Sequence, residues 1–469
     1  MTNQSLFIHE DDYPTFPADA AVEHLRGALR FPTVSSLDPD AMPYEALCAM
    51  QAYLRESYPC LREKAHWETI GHSLLITVPG TDPTLRPGLF MAHQDVVPVV
   101  PGTEANWIHG PFSGDLSDGY IWGRGSMDIK EMLIGILESA EYLLSEGKTF
   151  ARTLYLAFGE DEETCSRGAR AIVQKLHAEG VELEFVLDEG AGEVMDAADY
   201  GAPGHLICTV GMYEKGYADM RLFVHSQGGH ASNPFHGTSL GLLSQAIARI
   251  VDDPPKAHLS EAVRRTLTLL SDRITTEPMR TYVTDMARYE ADILSYMQKR
   301  ESLYHQIRTT VAPTMITPGS PAGNVMPQDM EAVINFRLSP PDTPESLLRH
   351  CRERVPEGVE ADYVQSIGPS VPSDPDAYGF RMLTETLSHY FDRLLFIPSQ
   401  NRGATDARWY EELCRCVMRF GPFLEEEEIS AEGIHGTNER IFVRAYLQGI
   451  RVLIRMMETT SVAERDKKA

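Results

Sequence analysis

A chain of 469 residues exceeds one ordinary hydrophobic core, so two domains are expected. Its 43% apolar and 23% charged residues are those of a soluble globular protein, and a formal charge of −26 argues against a nucleic-acid or anionic-membrane partner. Seven cysteines, an odd number without a CxxC pair, argue against a disulfide framework or a cysteine-zinc site and predict a reducing, cytoplasmic setting.

The opening MTNQSLFIHEDDYP lacks the basic and apolar regions of a signal peptide, and no apolar run reaches membrane-spanning length. Residues 20–29 and 44–57 read as helices. Residues 72–78 form a predicted strand ended by Pro79-Gly80, and 89–92 a short buried one. From 130 to 145, Leu133, Ile136, Leu137, Ala140, Leu143 and Leu144 recur at helical spacing, with Gly147 as the stop. Predicted strands 153–158 and 184–187 flank a helix at 169–179. This alternation predicts an α/β fold, a mostly parallel sheet flanked by helices.

The middle of the chain differs. Residues 218–225 alternate like a half-exposed strand, followed by a helix at 239–251 and a helical stretch from about 260 to 306. Strands at 309–316 and 330–338, a helix at 344–354 and a strand near 359–365 complete a β-α-β-β-α-β order. That order is ferredoxin-like, with the helical stretch as an elaboration. The α/β signal returns after about Pro369, with a helix at 376–391, a strand at 416–420 and a final helix at 438–457. The reading is a domain of residues 212–367 inserted into one built from 1–211 and 368–469. The acidic run at 425–428 reads as a solvated face.

Three predicted strands run straight into metal-binding residue types. GLFMA meets His93-Gln94-Asp95, TLYLAFG meets Glu160-Asp161-Glu162-Glu163, and EFVL meets Asp188-Glu189. Open α/β sheets bind ligands beyond the carboxyl ends of their strands. Any one of these residues alone would be ordinary surface. Acids crowded at successive strand ends repel one another unless a cation intervenes. Asp128 in GRGSMDIK and His435 in EGIHGTNER, each just before a predicted helix, extend the set. Histidines mixed with carboxylates suit zinc, with cobalt or manganese as substitutes. Such a set can serve two metals about 3.5–4 Å apart, bridged by one carboxylate.

MAHQDVVPV, WIHGPFSGDLSDGYIWGRGSMDIK, FGEDEE, VLDEG, EKGYADMRL, GGHASNP, GNVMPQDMEAVINFR, ATDARWY and GIHGTNE follow one another over most of the chain. As an ordered set they resemble the dinuclear zinc peptidase family of the glutamate carboxypeptidases, aminoacylase, carboxypeptidase S and the N-acyl-amino-acid hydrolases. The second stretch resembles the carboxypeptidase S and N-acyl-amino-acid hydrolase branch most. The resemblance implies a zinc-peptidase catalytic domain with an inserted ferredoxin-like lid and dimerisation domain. It implies His93 and Asp188 on the first zinc, Glu163 and His435 on the second, and Asp128 bridging both. Asp95 would orient His93, the Asp128-Ile129 peptide would be cis, and Glu162 would be the general base. His230 would reach across a homodimer to stabilise the oxyanion. Arg337 and Asn324 would help bind substrate, and Gly403 and Thr405 would contact its main chain.

The sequence also departs from the family. Arg402 and Ala404 flank Gly403 where many members have a glycine-rich run, and TCSRGA follows the acids where glycine often comes sooner. YVQSIGPSVP holds no arginine for a second carboxylate contact. These departures bear on substrate choice rather than on the metal site. The expected activity is hydrolysis of the amide bond of a dipeptide, short peptide or N-acyl amino acid with a free carboxylate. An aminopeptidase or biosynthetic deacylase is the alternative, and a retired dimeric binding protein a third reading.

Overall fold

The computed structural model describes residues 6–234, 237–401, 403–424 and 433–461; Arg402, the 425–428 acids and the C-terminal tail from 462 lie outside them. Helices α1 (Ala18–Leu29) and α2 (Tyr44–Ser57) precede the hairpin β1 (His66–Ile70) and β2 (Ser73–Val78). Then come β3 (Gly88–His93), α3 (Lys130–Ser145), β4 (Leu154–Gly159), α4 (Arg167–Ala178), β5 (Phe185–Asp188) and β6 (Leu206–Glu214). The insert holds β7 (Gly216–Val224), α5 (Ser239–Asp252), β8 (Thr310–Thr317), β9 (Met330–Leu338), α6 (Pro344–Arg352) and β10 (Glu360–Ile367). The chain closes with α7 (Tyr378–Tyr390), β11 (Leu394–Asn401), β12 (Val417–Arg419) and α8 (Val443–Ser461).

The large sheet runs β1-β2-β4-β3-β5-β12-β6-β11. Its centre is parallel: β3 pairs with β4 and β5, and β5 pairs with β12. All of β3 is buried, as expected of a strand covered on both faces. The register sets His93 opposite Gly159, so the acids after β4 emerge beside the histidine. Helix α3 begins and ends where its periodicity predicts, but burial goes beyond one face. Two of its buried charged residues find partners inside: the Lys130 ammonium donates to the carbonyls of Ala28 and Phe31, and Glu138 accepts from the Tyr58 hydroxyl. Leu133, Ile136 and Leu137 are fully buried, each contributing roughly 1.5–3 kcal/mol.

The insert's sheet runs β8-β9-β7-β10 with every pair antiparallel, the ferredoxin-like order. Leu243 and Leu347, from α5 and α6, share its core with Met220 and Phe336. The helical stretch differs from expectation. It breaks into short helices, the longest Glu261–Leu270, and packs against the large sheet instead of the insert's core. Leu267 and Met297 cluster with Ile207 and Ile397, and the Thr266 hydroxyl donates to the Pro398 carbonyl at 3.1 Å. Strands β6 and β11 are additions to the sequence reading. The two chain crossings lie side by side: the Ser370 hydroxyl accepts from the Glu214 N–H, and the Ser370 N–H donates to the Glu214 carbonyl. At this crossing a Cβ on Gly216 would lie 2.5 Å from the Ile367 carbonyl oxygen, so only glycine fits.

Candidate active site

His93, at the end of β3, is 2% exposed. Its Nδ1 lies 2.9 Å from the Asp95 carbonyl oxygen and 3.3 Å from Asp95 Oδ1. An N–H on Nδ1 satisfies both and leaves Nε2 to face the site. Asp95 does more than orient this ring. Its two carboxylate oxygens accept the backbone N–H groups of Glu162 and Glu163, at 3.1 and 3.2 Å. One buried aspartate thus ties the end of β3 to the loop after β4.

Asp128 stands between two imidazoles. Its Oδ1 is 3.2 Å from His93 Nε2 and its Oδ2 is 2.9 Å from His435 Nε2. Glu163 Oε1 lies 3.2 Å from the same His435 nitrogen. The Asp128-Ile129 peptide is cis. The loop before it hangs on Glu439, four residues past His435. This buried carboxylate accepts from the N–H groups of Gly125 and Met127 and pairs with Arg124 at 2.5 Å. His93, Asp128 and Glu163 offer ligand atoms within 4.8 Å of one another, and so do His93, Glu162 and Glu189. A cavity of about 830 Å³ opens over these groups. Its lining includes the apolar Met127, Met132, Val194, Phe423, Leu424 and Ile434 beside polar residues such as Thr209, Gln306 and Gln400.

A family model for peptidase family M20/M25/M40 matches residues 89–459. The chain belongs to that family. The N-fatty-acyl-amino acid synthase/hydrolase PM20D1 of Xenopus tropicalis is 32% identical over 448 residues, 94% of this chain and 85% of that protein. Carboxypeptidase S of Saccharomyces cerevisiae is 26% identical over 488 residues, 92% of this chain and 82% of its own. Among solved structures, the M20 family metallo-carboxypeptidase Sso-CP2 of Sulfolobus solfataricus matches with a TM-score of 0.64 at 17% identity, covering 94% of this chain and 99% of that one. Human carnosine dipeptidase 1 matches at 0.61 and 15%, covering 96% and 97%. At such identities these two likenesses speak for the fold. This M20 protein is an enzyme of the metallopeptidase and amidohydrolase type, and its family implies divalent metal ions. Among the described residues no helix is long and apolar enough to cross a membrane.

At the end of β5 the side chains lie differently from the expected arrangement. Glu189 Oε1 lies 3.5 Å from His93 Nε2, and Glu189 is one of a group with His93 and Glu162 that could hold an ion. Asp188 Oδ2 accepts the Ala407 N–H at 3.0 Å instead. Neighbouring residues at a strand end face opposite ways, so a one-residue shift exchanges ligand for support. Gly403 and Thr405 line the cavity. The Thr405 hydroxyl is committed elsewhere, 3.1 Å from Glu214 Oε1. Asn401, which the sequence reading passed over, supports this wall: its amide donates to the Gly403 carbonyl and accepts from the Ala191 N–H.

His230, Asn324 and Arg337 are not brought to the ligand cluster within one chain, and none of them lines the cavity. His230 and Asn324 meet each other on the lid, where the Ala231 N–H donates to the Asn324 carbonyl and His230 pairs with Val325. The His230 Nδ1 lies 2.8 Å from the Ser232 hydroxyl. Arg337, exposed on β9, stacks over the Tyr217 ring at 4.8 Å.

The charges of this M20 site are strongly coupled to its burial. Burial holds the carboxyls of Glu162 and Glu189 well above the usual range, and neighbouring acids add to it. Burial would raise Asp128 too, but hydrogen bonds from His435 and His93 more than offset this and lower it. Hydrogen bonds to Asp128 and Glu163 push His435 up to about 10. Burial works against a charge on His93, yet its bonds to Asp128 and Asp95 raise it well above the ordinary value. Without cations, protons shared between imidazole and carboxylate offset the charge. An imidazole and carboxylate set of this kind fits zinc.

Proposed function

We propose that this M20 hydrolase holds two zinc ions, replaceable by cobalt or manganese, and cleaves the amide bond of N-acyl amino acids or short peptides that end in a free carboxylate. The observation that carries this reading is Asp128 between His93 and His435, with Glu189 beside one imidazole and Glu163 beside the other. His93, Asp128 and Glu189 would hold one ion; Asp128, Glu163 and His435 would hold the other. When bound, the ions supply Lewis acidity and make water acidic enough to ionise near neutral pH.

Glu162 takes the proton of the attacking water and returns it to the leaving nitrogen. Its raised pKa brings it closer to that of a base working at neutral pH. Asp95 holds the Glu162 and Glu163 amides and so sets base and ligand in one frame. Relatives named for fatty-acyl amino acids and for carboxypeptidase S agree with the apolar residues in the cavity lining, which suit an acyl chain or an apolar side chain.

The lid supplies the remaining groups in this reading. His230, Asn324 and Arg337 would act from the lid, with His230 reaching the cavity of a second copy. Strand β8 ends the lid sheet and exposes Met315 and Ile316, the kind of edge a second copy covers. The test is amine release from a panel of N-acyl amino acids and dipeptides by zinc-loaded protein, each acid paired with its carboxy-terminal amide. Acids are expected to be cleaved and amides spared. Equal cleavage of both would refute carboxylate recognition and favour the aminopeptidase or deacylase reading.

A further inference from the structure

Outside the cavity lining, the first described residues form a strap across the last two helices. Phe7 is buried, stacks on Tyr390 at 4.9 Å and meets Phe391 edge-on at 5.3 Å. The Ile8 N–H donates to the Tyr390 carbonyl at 2.8 Å. Glu10 pairs with Arg444 of α8, and Arg451 donates to the Asp12 carbonyl at 3.2 Å.

Where the strap passes α7, three potential ligands meet. The His9 and His389 rings lie face to face, centroids 4.3 Å apart and 10° from parallel. His389 Nε2 is 2.8 Å from Asp12 Oδ2. One donor atom from each of His9, Asp12 and His389 falls within 4.8 Å of the others. The backbone at His9 is left-handed, φ 58°, a conformation that L residues adopt seldom and that folds the chain back on itself here. None of the three residues serves the hydrolytic site.

We propose that His9, Asp12 and His389 form a separate site for one zinc ion, which clamps the N-terminal strap to α7. Two imidazoles and a carboxylate are a zinc donor set, and water fills the fourth position. Calcium and magnesium, which prefer all-oxygen shells, are disfavoured. Tetrahedral zinc wants donors about 3.3–3.5 Å apart, from bonds of about 2.0–2.2 Å. His9 is exposed and the other two are partly so, which leaves the side chains room to close that gap and His9 room to turn out of the face-to-face arrangement so that both ring nitrogens point at one ion. The ion would join residues 377 positions apart in sequence, so it would oppose fraying of the chain's start.

The test uses the full chain, stripped with a chelator and reloaded with zinc chloride. Zinc per chain is counted for the wild type and for His9→Gln, Asp12→Asn and His389→Gln. Each variant is expected to bind one zinc fewer than the wild type and to retain its amidase turnover. Zinc is expected to protect the strap from proteolysis in the wild type and not in the variants. His389 packs beside Tyr390; should its replacement misfold, the exposed His9 and the partly exposed Asp12 still decide the count. Equal zinc content in wild type and variants would overturn the site and leave Asp12 and His389 as an ordinary ion pair.

Discussion

The ligand cluster and the lid carry the same kinds of residue under opposite physical conditions. Around Asp128 the supporting groups are buried and held more than once: Asp95 ties two loops, and Glu439 carries the turn before Asp128 through two amides and an arginine. On the lid, His230 and Arg337 are exposed and hold only local partners, Ser232 and Tyr217. Buried charge must be compensated by fixed partners, so the first region is complete within one chain. Exposed residues carry no such requirement, and the role proposed for them would depend on movement or on a second copy. The difference teaches that burial fixes the geometry of one cluster within the chain, while exposed residues of the same kinds are left with local partners alone.

The sharpest break comes at the end of β5. Glu189→Ala is expected to cost one zinc per chain and with it essentially all turnover, whereas Asp188→Asn keeps both zincs with affinity about 10–100-fold weaker. Metal counting after dialysis separates the two, and the reverse pattern would return the ligand role to Asp188. Next in size, Glu162→Gln should keep both zincs and lower kcat by about 10²–10⁴. Loss of a zinc from that variant would make Glu162 a ligand instead of a base. On the lid side, His230→Ala should lower kcat by about 10²–10³ with zinc content unchanged. Co-expression of His230→Ala chains with Glu162→Gln chains should then restore part of the activity if the histidine works across copies. An unchanged kcat would leave the lid histidine out of the chemistry.

The fold was largely legible because its signals are local. The 130–145 helix and the 330–338 strand have the bounds their periodicity predicts. Strands ending in His93 and in the acids after Gly159 announced where ligand groups gather. What stayed hidden depends on distant contacts. Strand β11 carries Pro398, which argues against a strand until its place at the sheet's edge is known, and β6 carries Gly211 where alternation would be read. The helical stretch reveals its docking side only when Leu267 meets Ile397. At Asp188-Glu189 composition alone does not say which carboxylate comes nearer His93; the path of the chain after β5 decides it. Glu439 looks like any surface glutamate beside a helix start; only its burial against Arg124 identifies it as the support of the Asp128 loop.

The smallest effect concerns protons. In the metal-free protein His435 titrates near 10, so at neutral pH it holds a proton shared with Asp128 and Glu163. A zinc ligand must be a neutral imidazole, so loading the site expels that proton. Calorimetry of zinc binding in buffers of different ionisation heat should therefore give different apparent enthalpies, and affinity should climb with pH over about pH 6–9. The metal-free fold responds with the opposite sign. A histidine whose folded pKa lies above its ordinary value favours the folded state when charged. That contribution is full below the ordinary histidine pKa and fades as pH rises through about 10. His435 is half exposed, so solvent screening keeps the term small. Removing zinc should thus leave a protein that loses a little stability toward alkaline pH, while the loaded enzyme does not. Enthalpies that are the same in every buffer would mean the histidines are already neutral in the empty site, and the contrast between a proton-held cluster and an open lid would fail at its root.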